Sequence, residues 1–104
     1  MAQKSPLPLR LLEARTGKGI SQKELGIRLG MEPSSASSRM NHYEKGRHTP
    51  DYPTLKRIAD ELDVPVAYFF CENIVVAEIV CKLERLSKKD QKALLNQLNQ
   101  SNKD

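Results

Sequence analysis

The stretch from Ser34 to Arg47 holds the side chains with the most to offer to recognition chemistry. Helical spacing turns Met40 and Tyr43 inward and leaves Ser37, Ser38, Asn41 and His42 on a polar outer face. Hydroxyl, amide and imidazole groups on one exposed helix face can donate to and accept from base edges in a DNA groove. Lys45 and Arg47 flank this helix with positive charge suited to a phosphate backbone. Arg39 has two roles open to it, bidentate binding of guanine or clamping a phosphate. Ser34 or Ser35 is expected to cap the helix start. Serine hydroxyls discriminate bases weakly, so sharp specificity would rest on Asn41, His42, Arg39 or DNA shape.

Other chemistries find little support. Cys71 and Cys81 lie ten positions apart with no CxxC spacing and no histidine pair nearby, which reads as two reduced, buried thiols rather than a disulfide or metal site. His42 and His48 sit among cations without a carboxylate partner, and there is no phosphate-binding glycine loop or nucleophile motif. No enzyme, metal or cofactor is expected. The 104 residues allow one domain and an appendage, with 17 Lys+Arg against 13 Asp+Glu giving a formal charge of +4. That balance suits contact with phosphates without requiring it. The polar start M-A-Q-K-S-P-L-P does not read as a signal peptide. No apolar run approaches the ~18–20 residues of a membrane span. The expected location is the cytoplasm.

Recognition residues need a scaffold, and the pattern on either side supplies helices only. Residues 1–8 read as an arm. Leu11, Leu12 and Arg15 begin a helical stripe, with Pro8 suited to its first turn and Gly17 and Gly19 to its end. Ser21 with Glu24 forms a capping-box signal for a second helix, Gln22 to Leu29, whose apolar side is Leu25 and Leu29. Gly26 in mid-helix costs ~1 kcal/mol relative to alanine, which makes sense if another helix crosses very close. Met31 to Ser35 reads as a turn, and His48 to Pro53 as an extended loop held by two prolines. Leu55, Ile58, Ala59 and Leu62 line one side of a helix from Thr54, and a short helix follows with Phe69 and Phe70 as core residues. No period-2 strand occurs, so the fold class is all-α.

Three segments then fall in register: Ile20-Ser21-Gln22-Lys23-Glu24-Leu25-Gly26, Met40-Asn41-His42-Tyr43-Glu44-Lys45-Gly46-Arg47, and Pro50 with Leu55 to Pro65. Together they resemble the lambda repressor-like, Cro-type helix-turn-helix transcriptional regulators, the XRE family, over residues 9–71. The resemblance implies a five-helix DNA-binding domain with one or two additional C-terminal helices. It implies base contacts from Ser37, Ser38, Asn41, His42 and Arg39. It also implies phosphate contacts from Gln22 at the start of the first motif helix, with Lys23, Lys45, Arg47 and His48. Arg15 and Glu44 match a structural ion pair of the family. Two departures stand out: a few extra residues between Gly30 and the recognition helix, which blur the register of its start, and Gly26 where alanine is usual.

Residues 72–104 form a helical extension. Ile74, Ala77, Val80 or Cys81, and Leu83 or Leu86 make one stripe; Ser87 with Asp90 restarts a helix carrying Leu94, Leu95 and Leu98, with a frayed end. These helices could complete their own domain's core, join two copies into a homodimer, or take a different protein partner. The expected function is sequence-specific binding of double-stranded DNA as a transcriptional regulator, a bacterial or prophage repressor. The alternative is an antitoxin-type protein that binds a partner and represses its own operon.

Overall fold

The computed structural model describes residues 4–102. Its elements are α1 (Leu7–Lys18), α2 (Gln22–Arg28), α3 (Pro33–Glu44), α4 (Tyr52–Leu62), a 3-10 helix (Val66–Phe70), α5 (Ile74–Glu84) and α6 (Lys88–Ser101), with no strand among the described residues. The fold is all-α: four helices and the 3-10 turn build the domain, and α5 and α6 are the additional pair. No helix among the described residues is long and apolar enough to cross a membrane.

Local chemistry sets most boundaries. Ser21 Oγ accepts the Glu24 N–H at 3.0 Å and Ser87 Oγ the Asp90 N–H at 3.1 Å, so both expected caps form. The carboxylate of Glu24 does not close the box; it accepts from Arg28 Nε at 3.0 Å instead. Asp51 Oδ1 caps α4 through the Thr54 N–H at 3.0 Å, which starts that helix at Tyr52 and places Pro53 in its first turn rather than in an extended loop. α1 starts at Leu7, a buried residue, so the arm is shorter than residues 1–8; residues 1–3 lie outside the described residues. It runs through Gly17 and ends at Gly19, whose φ of 75° is the left-handed cap geometry glycine accommodates.

The core gathers Leu7 and Leu11 of α1, Leu25 and Leu29 around α2, Ala36 and Met40 of α3, all four expected residues of α4, and Tyr68 and Phe69. Two expectations fail. Leu12 is exposed, because Leu7 and Leu11 define the inward side of α1. Phe70 is 54% exposed, and Tyr68 takes the inner place beside Phe69 in an edge-to-face pair with centroids 5.6 Å apart. A 3-10 turn advances each residue by a third of a turn instead of 100°, which moves neighbouring aromatics to different faces. Gly26 meets the expected close crossing: a Cβ there would lie 2.7 Å from Ala36 Cβ and 3.1 Å from the Ala36 carbonyl oxygen.

An arginine that the sequence pattern does not flag ties the domain to its extension. Arg10 is buried, with Nε donating to the Cys71 carbonyl at 2.8 Å, Nη2 to the Glu72 carbonyl at 2.9 Å, and Nη1 to Glu13 at 2.5 Å. Its stem counts as an outward position in the leucine pattern of α1, so periodicity gives no signal for it. Beyond this clasp α5 buries Ala77 and half-buries Cys81, while α6 buries nothing. The extension therefore contributes one helix to the core and leaves the other outside it. Both cysteines are free and half-buried, and burial pushes the Cys81 thiol up.

Candidate nucleic-acid interface

α3 is twelve residues long and begins at Pro33, so Met31 to Ser35 is not an extended turn. Gly30, with φ of 89°, lets the chain reverse at once, and proline's fixed φ suits the first helical position. The added residues sit in the helix itself, and the Gly26–Ala36 contact locks its register against α2. No serine caps it: the N-cap is Glu32, without a side-chain cap, and Ser35 Oγ turns back to the Glu32 carbonyl at 3.4 Å.

With Ala36 and Met40 buried, the opposite side of α3 is defined by geometry. Ser37, Ser38 and Arg39 are exposed, and Asn41 and His42 are half-buried at its edges. Ser34 is exposed on the same strip as Ser37, Ser38 and Asn41, one turn earlier. Its spacing could have revealed it once the turn was known to end at Glu32. Arg39 lies on the far flank, lining a cleft with His42, Tyr43, His48 and Thr49. The His42 and His48 rings stand 5.1 Å apart at 45°, so these two residues form one edge site rather than separate ones.

The chain beyond α3 stays close to its end. The His42 carbonyl accepts the Arg47 N–H at 2.9 Å and the His48 N–H at 3.4 Å, and Gly46 makes the turn with φ of 74°. Lys45, Arg47 and His48 are all exposed there. Lys23, Arg39, Lys45 and Arg47 have no ion-pair partner among the described residues, whereas Arg28 pairs with Glu24 and Glu61, Lys56 with Asp60, and Lys18 with Asp63 on other faces. Positive charge is left uncompensated around α3, while on the other faces most cations of the domain are paired and Arg57 donates to the Leu29 carbonyl, an arrangement suited to polyanion contact.

Behind α3 lies the expected ion pair. Arg15 Nε and Nη2 donate to the two oxygens of Glu44 at 2.5 and 3.1 Å, and Nη1 donates to the Ile20 carbonyl at 2.9 Å. Side-chain exposure is 12% for Arg15 and 4% for Glu44, so the pair is shielded from water. Gln22 bridges this pair to the outer strip: its Nε2 donates to Glu44 Oε1 at 3.0 Å and to Asn41 Oδ1 at 3.2 Å, and its Oε1 accepts from Ser37 Oγ at 3.4 Å. Its side chain is thus engaged inside the protein. What it offers outward is a backbone N–H in the first turn of α2, where helix geometry supplies no intrahelical partner.

This architecture agrees with what known proteins show. A family model for a helix-turn-helix domain matches residues 9–71. Among solved structures, the chain is similar to the crystal structure of transcriptional regulator BswR, with 41% sequence identity and a TM-score of 0.81, covering 90% of this chain and 93% of that one. No curated protein matches. With more than half its length matched by the family model, and the three quoted segments resembling XRE-type regulators inside that match, the chain belongs to the helix-turn-helix domain family.

Proposed function

We propose that this protein is a sequence-specific DNA-binding transcriptional regulator that places α3 in the major groove. The observation that carries this reading is the outer strip of α3: short polar side chains with no exposed carboxylate from Ser34 to Lys45, bordered by Lys23, Arg39, Lys45 and Arg47, which have no ion-pair partner among the described residues. Ser37, Ser38, Asn41 and His42 face the base edges, with Ser34 added, and Arg39 sits nearer the phosphates than the bases. Lys23, Lys45, Arg47, His48 and the α2 N-terminus hold the backbone. The similarity to a protein titled a transcriptional regulator supports the same role. Repression by occupying a promoter is the output this reading favours.

A lone helix of this size covers few base pairs, and doubling on a symmetric site is the usual remedy. The surface for it is the extension: Ile74, Val75, Val76 and Ile79 of α5 are exposed although Ala77 packs into the core, and Leu95 and Leu98 are exposed on α6, which buries nothing. A water-facing apolar set of this kind favours a partner, and a second copy gives the two-fold site. Light scattering should report a dimer, and Ile79→Asp, at a position 53% exposed, should yield monomers that keep the helical spectrum. Selection of bound sites from random DNA should return a two-fold symmetric sequence. Recovery of no enriched sequence refutes the regulatory reading. The same apolar surface also suits an antitoxin-type role, which a monomer that co-purifies with a stoichiometric partner protein would favour.

A further inference from the structure

Arg10 is a buried cation with no part in DNA contact. It stands at 3% exposure, and all three nitrogens of its guanidinium donate: Nε to the Cys71 carbonyl at 2.8 Å, Nη2 to the Glu72 carbonyl at 2.9 Å and Nη1 to Glu13 at 2.5 Å. Methionine would fill the same space without the desolvation a buried guanidinium suffers, so closing the core does not by itself require an arginine here. What the arginine adds is direction. Its planar fork meets two successive carbonyls at once, which fixes the orientation of the chain at Cys71 and Glu72 as well as its position. Both carbonyls lie in the junction between the 3-10 helix, which ends at Phe70, and α5, which starts at Ile74. Asn73 completes that junction and caps α5, its Oδ1 accepting the Val75 N–H at 2.8 Å and the Val76 N–H at 3.4 Å. Farther along, the grip of the domain on α5 is weaker. Ala77 is buried and Cys81, one turn on, is half-buried; two small side chains let the helix lie close to the core without interlocking with it. The direction in which α5 leaves the domain is therefore set at its root.

We infer that Arg10 sets the distance between the two reading helices of a dimer. Its clasp fixes the angle between α3 and the extension in each copy, and so makes the protein selective for the spacing of the two half-sites. The 11 residues of α5 span ~16 Å, so a swing of ~15° at its root moves its far end by ~4 Å, more than the ~3.4 Å rise of one base pair. A rigid root lets the second half-site be engaged only when the spacing matches, whereas a loose one accepts several spacings. Arg10 is a positioning residue in this scheme, acting through the junction from Cys71 to Asn73. The inference rests on the proposal that two copies join through the extension and read a symmetric site.

The test starts from the symmetric site selected from random DNA with the full-length protein. Gel shifts measure binding to that duplex, to duplexes with its centre one base pair longer or shorter, and to a duplex carrying a single half-site. The proteins compared are the wild type, Arg10→Met and Arg10→Lys. Methionine fills the space and makes no bond; lysine keeps the charge but, as a point donor, cannot hold both carbonyls in one plane. The wild type should bind the altered spacings ~10-fold or more weaker than the selected one. Both variants should reduce that ratio ~3-fold or more, while binding the single half-site as the wild type does and remaining helical dimers by circular dichroism and light scattering. A merely structural role would lower affinity for every duplex in proportion, and that unchanged ratio overturns the inference while leaving the dimer reading intact. A wild type indifferent to spacing overturns it as well, and so does loss of folding in both variants. If the wild type is a monomer, or no symmetric site emerges, the dimer reading fails and the inference falls with it.

Discussion

Replacing Arg15 with methionine is the sharpest test of how the domain holds α3. The substitution keeps most of the stem and removes the guanidinium, stranding the Glu44 carboxylate at 4% exposure with Gln22 as its remaining side-chain donor. A buried charge left without its counter-ion costs ~3–5 kcal/mol, a large share of the ~5–15 kcal/mol that holds a domain of this size. Loss of the bond from Arg15 Nη1 to the Ile20 carbonyl adds to this at the α1–α2 junction. At ~4 °C per kcal/mol or more for a small domain, the melting temperature should fall by roughly 12 °C or more. Urea unfolding followed by circular dichroism measures the change directly. Arg15→Met/Glu44→Met should then be more stable than Arg15→Met alone, because two apolar side chains strand no charge. A single-variant loss below about 1 kcal/mol, or a double variant that simply sums the two single losses, would refute the claim that desolvation of Glu44 dominates.

Gly26→Ala gains ~1 kcal/mol in helix propensity, yet it should be net destabilising by ~1 kcal/mol or more, because the new Cβ would sit 2.7 Å from Ala36 Cβ. Adding Ala36→Gly should recover part of that loss in the same denaturation assay. The side-chain and backbone hydrogen bonds of Thr54 hold the Asp51 carboxyl below its ordinary value of 3.8. A lowered folded-state pKa means stability that is present above 3.8 and lost as pH falls through the folded value. The acid unfolding curve of Asp51→Asn should therefore lack that component while the wild type shows it. Arg47→Ala should weaken binding to unrelated DNA sequences alike and reduce the salt dependence by about one phosphate's worth. His42→Ala should instead change sequence preference by ~1–3 kcal/mol at one step, and identical behaviour of the two variants in salt-titrated gel shifts would show the contacts to be wrongly sorted.

Much of this protein is local in origin and could be read from the chain. Ser21 and Ser87 cap helices because a hydroxyl next to unpaired amides needs no distant partner. The stripe of Leu55, Ile58, Ala59 and Leu62 is strong enough to define α4 by itself, and the three motif segments in register mark the helix-turn-helix domain in the sequence alone. Gly26 announced a close crossing by being costly where it stands.

Three-dimensional packing decided the rest. The start of α3 was ambiguous because Pro33, Ser34 and Ser35 fit a turn or a first helical turn equally well; contact between Gly26 and Ala36 chose the helix. Phe70 and Leu12 are as apolar as their buried neighbours, and only the 3-10 geometry and the inward set of α1 turned them to water. Arg10 gave no periodic signal, since two of its three partners are carbonyl oxygens 61 and 62 residues away whose positions no sequence pattern encodes. The same holds for the face proposed to read DNA. Residue types placed Gln22, Ser37, Asn41 and Glu44 in the site, but a hydrogen bond exists only when both partners are in place. That Gln22 joins the other three was therefore settled by the fold, through the packing of α2 against α3.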